Sequence, residues 1–125
     1  MEETKLRIWW MPQLGANCTF YIPVKSVEES KKFLDVLAAY DQFQYQNRIK
    51  PDFCNTGGLQ MWNEEEKDWI DWSDSEGVYD DVDEYCETID TNGELAEFTK
   101  AIFEQVRFDI NFSNWIKVLF CKQIN

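Results

Sequence analysis

The chain has 125 residues, 24 of them acidic and 12 basic, for a net charge of −12; 44% are hydrophobic, 16% aromatic and none is histidine. This length and apolar content fit one α+β domain with a real core and argue against disorder throughout. The missing histidine excludes the usual Ser-His-Asp and Cys-His catalytic arrangements, and the net charge disfavours direct nucleic-acid binding, which needs clustered Lys and Arg on the phosphates.

The charge is localised. Residues 63–94 hold fourteen acids and one base, Lys67, leaving ten acids and eleven bases elsewhere. A single domain over residues 1–125 with one acidic lobe at 63–94 is therefore expected. No apolar run approaches the ~18–20 residues that span a bilayer. The opening MEETKLRIWWMP lacks a signal-peptide layout, so the expected location is cytoplasmic.

In chain order, Leu6-Arg7-Ile8-Trp9-Trp10 reads as a strand ended by Met11-Pro12, and Thr19-Phe20-Tyr21-Ile22-Pro23-Val24 as its hairpin partner. Ser26-Val27-Glu28-Glu29 fits a capping box. Phe33, Leu34, Leu37 and Ala38 then recur at helical spacing, predicting a helix over 27–40. From residue 41 to 58 the period fades, and a partly packed loop holding Phe43, Tyr45 and Phe53 is expected. Gly57-Gly58 is read as a site of positive φ before the next strand.

Leu59-Gln-Met-Trp62 and Asp68-Trp69-Ile-Asp-Trp72 flank a turn over 63–67, predicting a second hairpin. In its second arm Asp68, Ile70 and Trp72 share one face and Trp69 and Asp71 the other. Neither face is cleanly apolar, as expected of an edge or partner-facing strand. The apolar spacing 78, 82, 85, 86, 89 predicts a short acidic helix over 80–87. Thr91-Asn-Gly-Glu94 reads as a second capping box before a helix carrying Leu95, Phe98, Ile102 and Val106. Alternating Phe108, Ile110 and Phe112 precede an expected closing strand over 115–121. The result is an antiparallel sheet of about four or five strands with two main helices packed on one side.

Cys18, Cys54, Cys86 and Cys121 lie more than thirty residues apart without a C-x-x-C pair. Zinc sites use closely paired ligands, so no metal and no cofactor is expected. The acids match no EF-hand loop. Without a catalytic constellation the chain reads as a non-enzymatic binding protein. Its expected partner surface comprises Glu64, Glu65, Glu66, Asp68, Trp69, Asp71, Trp72, Asp74, Asp80, Asp81, Asp83 and Glu84. Regularly spaced carboxylates can occupy a basic groove built for phosphates, and tryptophans amid them exceed what solubility alone requires. The alternative is a sponge for a small nucleotide signal. It would stack on Trp9, Trp10, Phe43 or Tyr45, with Arg48 and Lys50 on the phosphates. A membrane-adjacent role lacks the basic amphipathic helix it would need.

LRIWWMPQ, the stretch LDVLAAYDQFQYQNRIKPDFCN-TGGLQMW and the acidic W-I-D-W segment after it resemble a family of small, mostly uncharacterised tailed-phage accessory proteins labelled with superinfection immunity. Lys50-Pro51-Asp52, Cys54-Asn55 and Gly57-Gly58-Leu59 carry most of the likeness, which covers roughly residues 5–84. The resemblance implies a phage accessory protein. By analogy with small acidic phage proteins that counter host defence by binding, it implies inhibition of a host defence factor, with nucleic-acid-handling proteins first among the candidates.

Overall fold

The computed structural model describes residues 5–13, 15, 17–51 and 54–106. Two hairpins and three helices follow one another: β1 (Leu6–Met11), β2 (Phe20–Val24), α1 (Val27–Gln46), β3 (Thr56–Asn63), β4 (Asp68–Asp71), α2 (Val82–Ile89) and α3 (Glu94–Glu104). The strands form one antiparallel sheet in the order β2-β1-β3-β4. This is the expected α+β architecture, with helices packed against the sheet. The fifth strand expected over 115–121, the alternation before it, Phe53 and Cys121 lie outside the described residues.

Period-two alternation sorts the sheet into two faces. The register pairs Ile8 with both Ile22 and Leu59, Leu6 with Val24 and Met61, and Met61 with Ile70. These side chains share the face toward the helices, where Ile8, Trp10, Val24 and Leu59 join Trp72, Val82, Cys86 and Leu95 in the core.

Helix α1 begins as expected: the Ser26 hydroxyl accepts from the Glu29 amide at 3.0 Å, and Glu29 Oε1 accepts from the Lys25 amide. It runs six residues past the expected end at Tyr40, so the predicted loop over 41–58 is corrected to 47–55. The missed turns bury polar groups. Asp41 is 4% exposed and pairs with Lys50, while Asn55 Nδ2 donates to its other oxygen at 2.6 Å. Gln42 is fully buried, its amide donating to the Val106 carbonyl at 3.1 Å, and Gln46 donates to the same oxygen. These contacts fasten the loop after α1 and the end of α3 to one helix.

The glycine pair is also corrected. Gly57 and Gly58 sit inside β3, and the glycines with positive φ are instead Gly15, Gly77 and Gly93. What the pair supplies is absence of a side chain. Gly57 lies opposite Trp10 and Gly58 opposite Trp9, one ring on each face of the sheet. A Cβ at Gly57 would collide with the Trp10 ring and sit 2.8 Å from the Trp9 carbonyl oxygen; one at Gly58 would sit 2.9 Å from Trp9 Nε1.

The short acidic helix is present, two residues later than expected, with Asp81 as its cap accepting from the Asp83 and Glu84 amides. Helix α3 is present too, but the Thr91 capping box is not what starts it. Gly93 occupies the cap position with φ 77°, and the Asp90 carboxylate accepts from the Leu95 and Ala96 amides at 2.9 and 3.0 Å. Asp90→Ala should therefore lower stability by about 1 kcal/mol in urea unfolding, while Thr91→Ala should cost less than half of that.

A polar junction joins the three helices. Lys31 on α1 bridges Asp35 at 3.0 Å and Asp83 at 3.1 Å, and the Thr99 hydroxyl donates to Asp35 at 2.5 Å. Burial alone would lower the Lys31 pKa, but the Asp83 and Asp35 carboxylates outweigh it and hold it above the usual lysine value. Burial pushes the nearby Cys86 thiol up to about 11.

Candidate partner-binding face

The sheet face turned away from the helices carries Arg7 and Trp9 from β1, Tyr21 from β2, Gln60 and Trp62 from β3, and Trp69 and Asp71 from β4. Arg7 lies at its centre. Its guanidinium carbon sits 3.9 Å from the Tyr21 ring centre and 4.3 Å from that of Trp69, and its Nε donates to Gln60 Oε1 at 2.8 Å. A cation between two rings holds them apart and fixes their planes. Trp62 and Trp69 meet edge to face at 5.5 Å across the β3–β4 hairpin. Tyr21 is 46% exposed, and Trp9, Trp62 and Trp69 are half-buried.

The acidic turn over 64–67 adjoins this face. The Trp62 indole donates to Glu64 at 2.8 Å, and Lys67 pairs with the same carboxylate. The Lys67 bond, then the indole, hold the Glu64 carboxyl below the ordinary glutamate value, so it stays charged in more acidic solution. Glu65, Glu66, Asp68 and Asp71 are exposed around it, and among the described residues β4 is a sheet edge, as its mixed pattern predicts.

The structure separates the predicted partner-surface residues into two sets. Glu64, Glu65, Glu66, Asp68, Trp69 and Asp71 cluster at the hairpin, and Asp80, Asp81 and Glu84 are exposed near the start of α2. Trp72 is corrected: it is 6% exposed and packs on Tyr85 at 5.1 Å inside the core. Asp74 accepts from the Val78 and Tyr79 amides to shape the loop before α2, and Asp83 belongs to the Lys31 junction. Arg7, Tyr21, Gln60 and Trp62 are missing from the predicted set. Their signal is the alternation itself, which places Arg7 and Trp9 opposite Ile8 and Trp10.

The alternative ligand set does not converge as a whole. Trp9 and Trp10 are on opposite faces, Trp10 is buried, and Phe43 lies on an exposed side of α1. Lys50 is half-buried against Asp41. Tyr45, Arg48 and Lys50 do line an open cavity of about 560 Å³ with Gln46, Ile49 and Pro51. Among the described residues no group of three or more metal-ligating side chains converges, and no helix is long and apolar enough to cross a membrane.

A family described as superinfection exclusion gene product 17 matches residues 5–91. The chain belongs to that family. A superinfection exclusion protein of Salmonella phage P22 is 45% identical over 96 residues, spanning 68% of this chain and 92% of the relative. No solved structure matches. The chain is thus a phage-encoded accessory protein of the superinfection exclusion family. The family match takes in the sheet, α1 and α2 and stops before α3. Much of the motif that carries the likeness is scaffold: Asp41, Lys50 and Asn55 lock the loop after α1, Cys54 is fully buried there, and Gly57-Gly58 seats two tryptophans.

Proposed function

We propose that this protein acts by binding rather than by catalysis, using the outer sheet face and the adjoining acidic turn to engage a host defence protein in the cytoplasm. The observation that carries this reading is the aromatic face around Arg7, contiguous with the carboxylates of residues 64–71. Aromatic rings held rigidly by neighbours lose little freedom on binding and make strong contact points. The carboxylates beside them favour a basic partner and speed its approach. A groove that normally takes nucleic-acid phosphates has that chemistry, so the target class is a nucleic-acid-handling protein.

Affinity capture from phage-host lysate tests this. Wild-type bait should retain a basic protein that duplex DNA displaces, and bait carrying Glu64→Lys, Glu65→Lys and Glu66→Lys should retain at least about tenfold less. Equal retention by both baits, or retention that DNA leaves untouched, would sink the phosphate-mimic reading.

One observation favours a second reading, capture of a small nucleotide: the cavity lined by Tyr45, Arg48 and Lys50 offers a ring and the Arg48 guanidinium, with the Lys50 ammonium shared with Asp41. Calorimetry with cyclic and linear nucleotides should then show heat that Arg48→Ala removes. A panel without heat disposes of that reading for those nucleotides.

A further inference from the structure

Helix α1 has three faces, none of which belongs to the outer sheet surface. One faces the sheet, and a second carries Asp35, Gln42 and Gln46 toward α3 and the chain following it. The third carries Phe33, Val36, Tyr40 and Phe43, which are 40%, 40%, 59% and 42% exposed. Such a run of large apolar side chains on one exposed helix face is the pattern of a helix that packs against another helix. Tyr40 and Phe43 are stacked at 6.5 Å, with ring planes 12° apart, so part of the stripe is already ordered.

We propose that this stripe is a two-fold interface between two copies of the chain, their α1 helices packed antiparallel. Spacing carries the choice of occupant. Phe33 and Phe43 lie five residues on either side of Ala38, and Val36 and Tyr40 lie two residues on either side. A two-fold axis requires that if one residue faces a second, the second also faces the first. With the axis at the level of Ala38, Phe33 meets Phe43 of the other copy at both ends, and Val36 meets Tyr40 on either side of the axis. Charge agrees with this arrangement. Glu29 lies one turn before Phe33, and Arg48 lies just past the end of α1. Antiparallel packing brings each Arg48 toward the Glu29 end of the second copy and opposes the two helix dipoles. Helix α2, the part of the acidic lobe that touches α1, packs on the other flank, where Lys31 reaches Asp83.

Sedimentation equilibrium over a range of protein concentrations tests this. The wild type should approach twice the 14.9 kDa chain mass. Val36→Asp and Tyr40→Lys should each raise the dimer dissociation constant about thirtyfold or more. The double variant should recover most of that loss, because the axis sets the introduced carboxylate of one copy against the introduced ammonium of the other. Each variant changes an exposed side chain, and thermal melting checks that it folds; Phe43→Lys serves as a further single variant. A monomeric wild type at every concentration overturns the proposal. A dimer indifferent to all three single variants, or a double variant no better than either single one, overturns it as well.

Discussion

Replacing Gly57 by alanine should lower stability by about 3 kcal/mol, among the largest single-site effects expected in this fold. The new methyl would meet the Trp10 ring on one side and the Trp9 carbonyl oxygen on the other. Trp10 is 7% exposed within the core, and the carbonyl belongs to an inner strand paired on both sides, so neither can move aside cheaply. Urea unfolding should show a lower midpoint at unchanged slope. Gly58→Ala should cost less than about 1 kcal/mol, because the half-buried Trp9 indole can swing toward solvent. Equal costs at the two positions would contradict the division of the sheet into a packed face and an open one.

Lys31→Met should be comparably damaging, about 3 kcal/mol, because it leaves the buried Asp35 carboxylate without its cation. The pH dependence supplies an independent check. The folded pKa of Lys31 is raised, so the folded state holds that proton more tightly than the unfolded chain. Its contribution is whole below the ordinary lysine value of 10.5 and disappears as pH rises through the folded value. Cys86 has the same sign in an earlier window, between its ordinary 9.0 and about 11. Wild-type stability should therefore decline from about pH 9 upward in two overlapping stages. Lys31→Met should lack the later stage, and Cys86→Ala the earlier one.

How much of this was legible in the sequence depended on which groups carry the pattern. The hairpins and the start of α1 were legible because apolar residues recur at period two or near 3.6, and because Ser26 and Glu29 stand at capping distance. The last turns of α1 were not, because the residues facing inward there are Asp41, Gln42 and Gln46. Their burial depends on partners at Lys50, Asn55 and Val106, which no local window reveals. The Gly57-Gly58 pair reads locally as a site of positive φ, and that reading fails because what requires glycine there is two indoles arriving from another strand.

The candidate site was half legible for a related reason. Acid density marked the turn over 64–67 and the edge strand beside it. Composition alone could not separate Trp69, which stands on the open face, from Trp72, which closes the core against Tyr85. Nor could it distinguish carboxylates that cap or bridge, such as Asp74, Asp83 and Asp90, from those left on the surface. Alternation puts Arg7 on the open face, but one cation in a strand has no motif that marks it as central. Its position between Tyr21 and Trp69 exists only once three strands are assembled.

The most direct test of the central claim is the plating efficiency of superinfecting phage on cells producing the protein, compared with cells that lack it. Wild-type protein should change that efficiency. Trp69→Ala, and separately Glu64→Lys with Glu65→Lys and Glu66→Lys, should each remove at least about tenfold of the change, with their melting temperatures close to wild type. Full wild-type effect from both stable variants would contradict the account and place the functional surface away from the open sheet face.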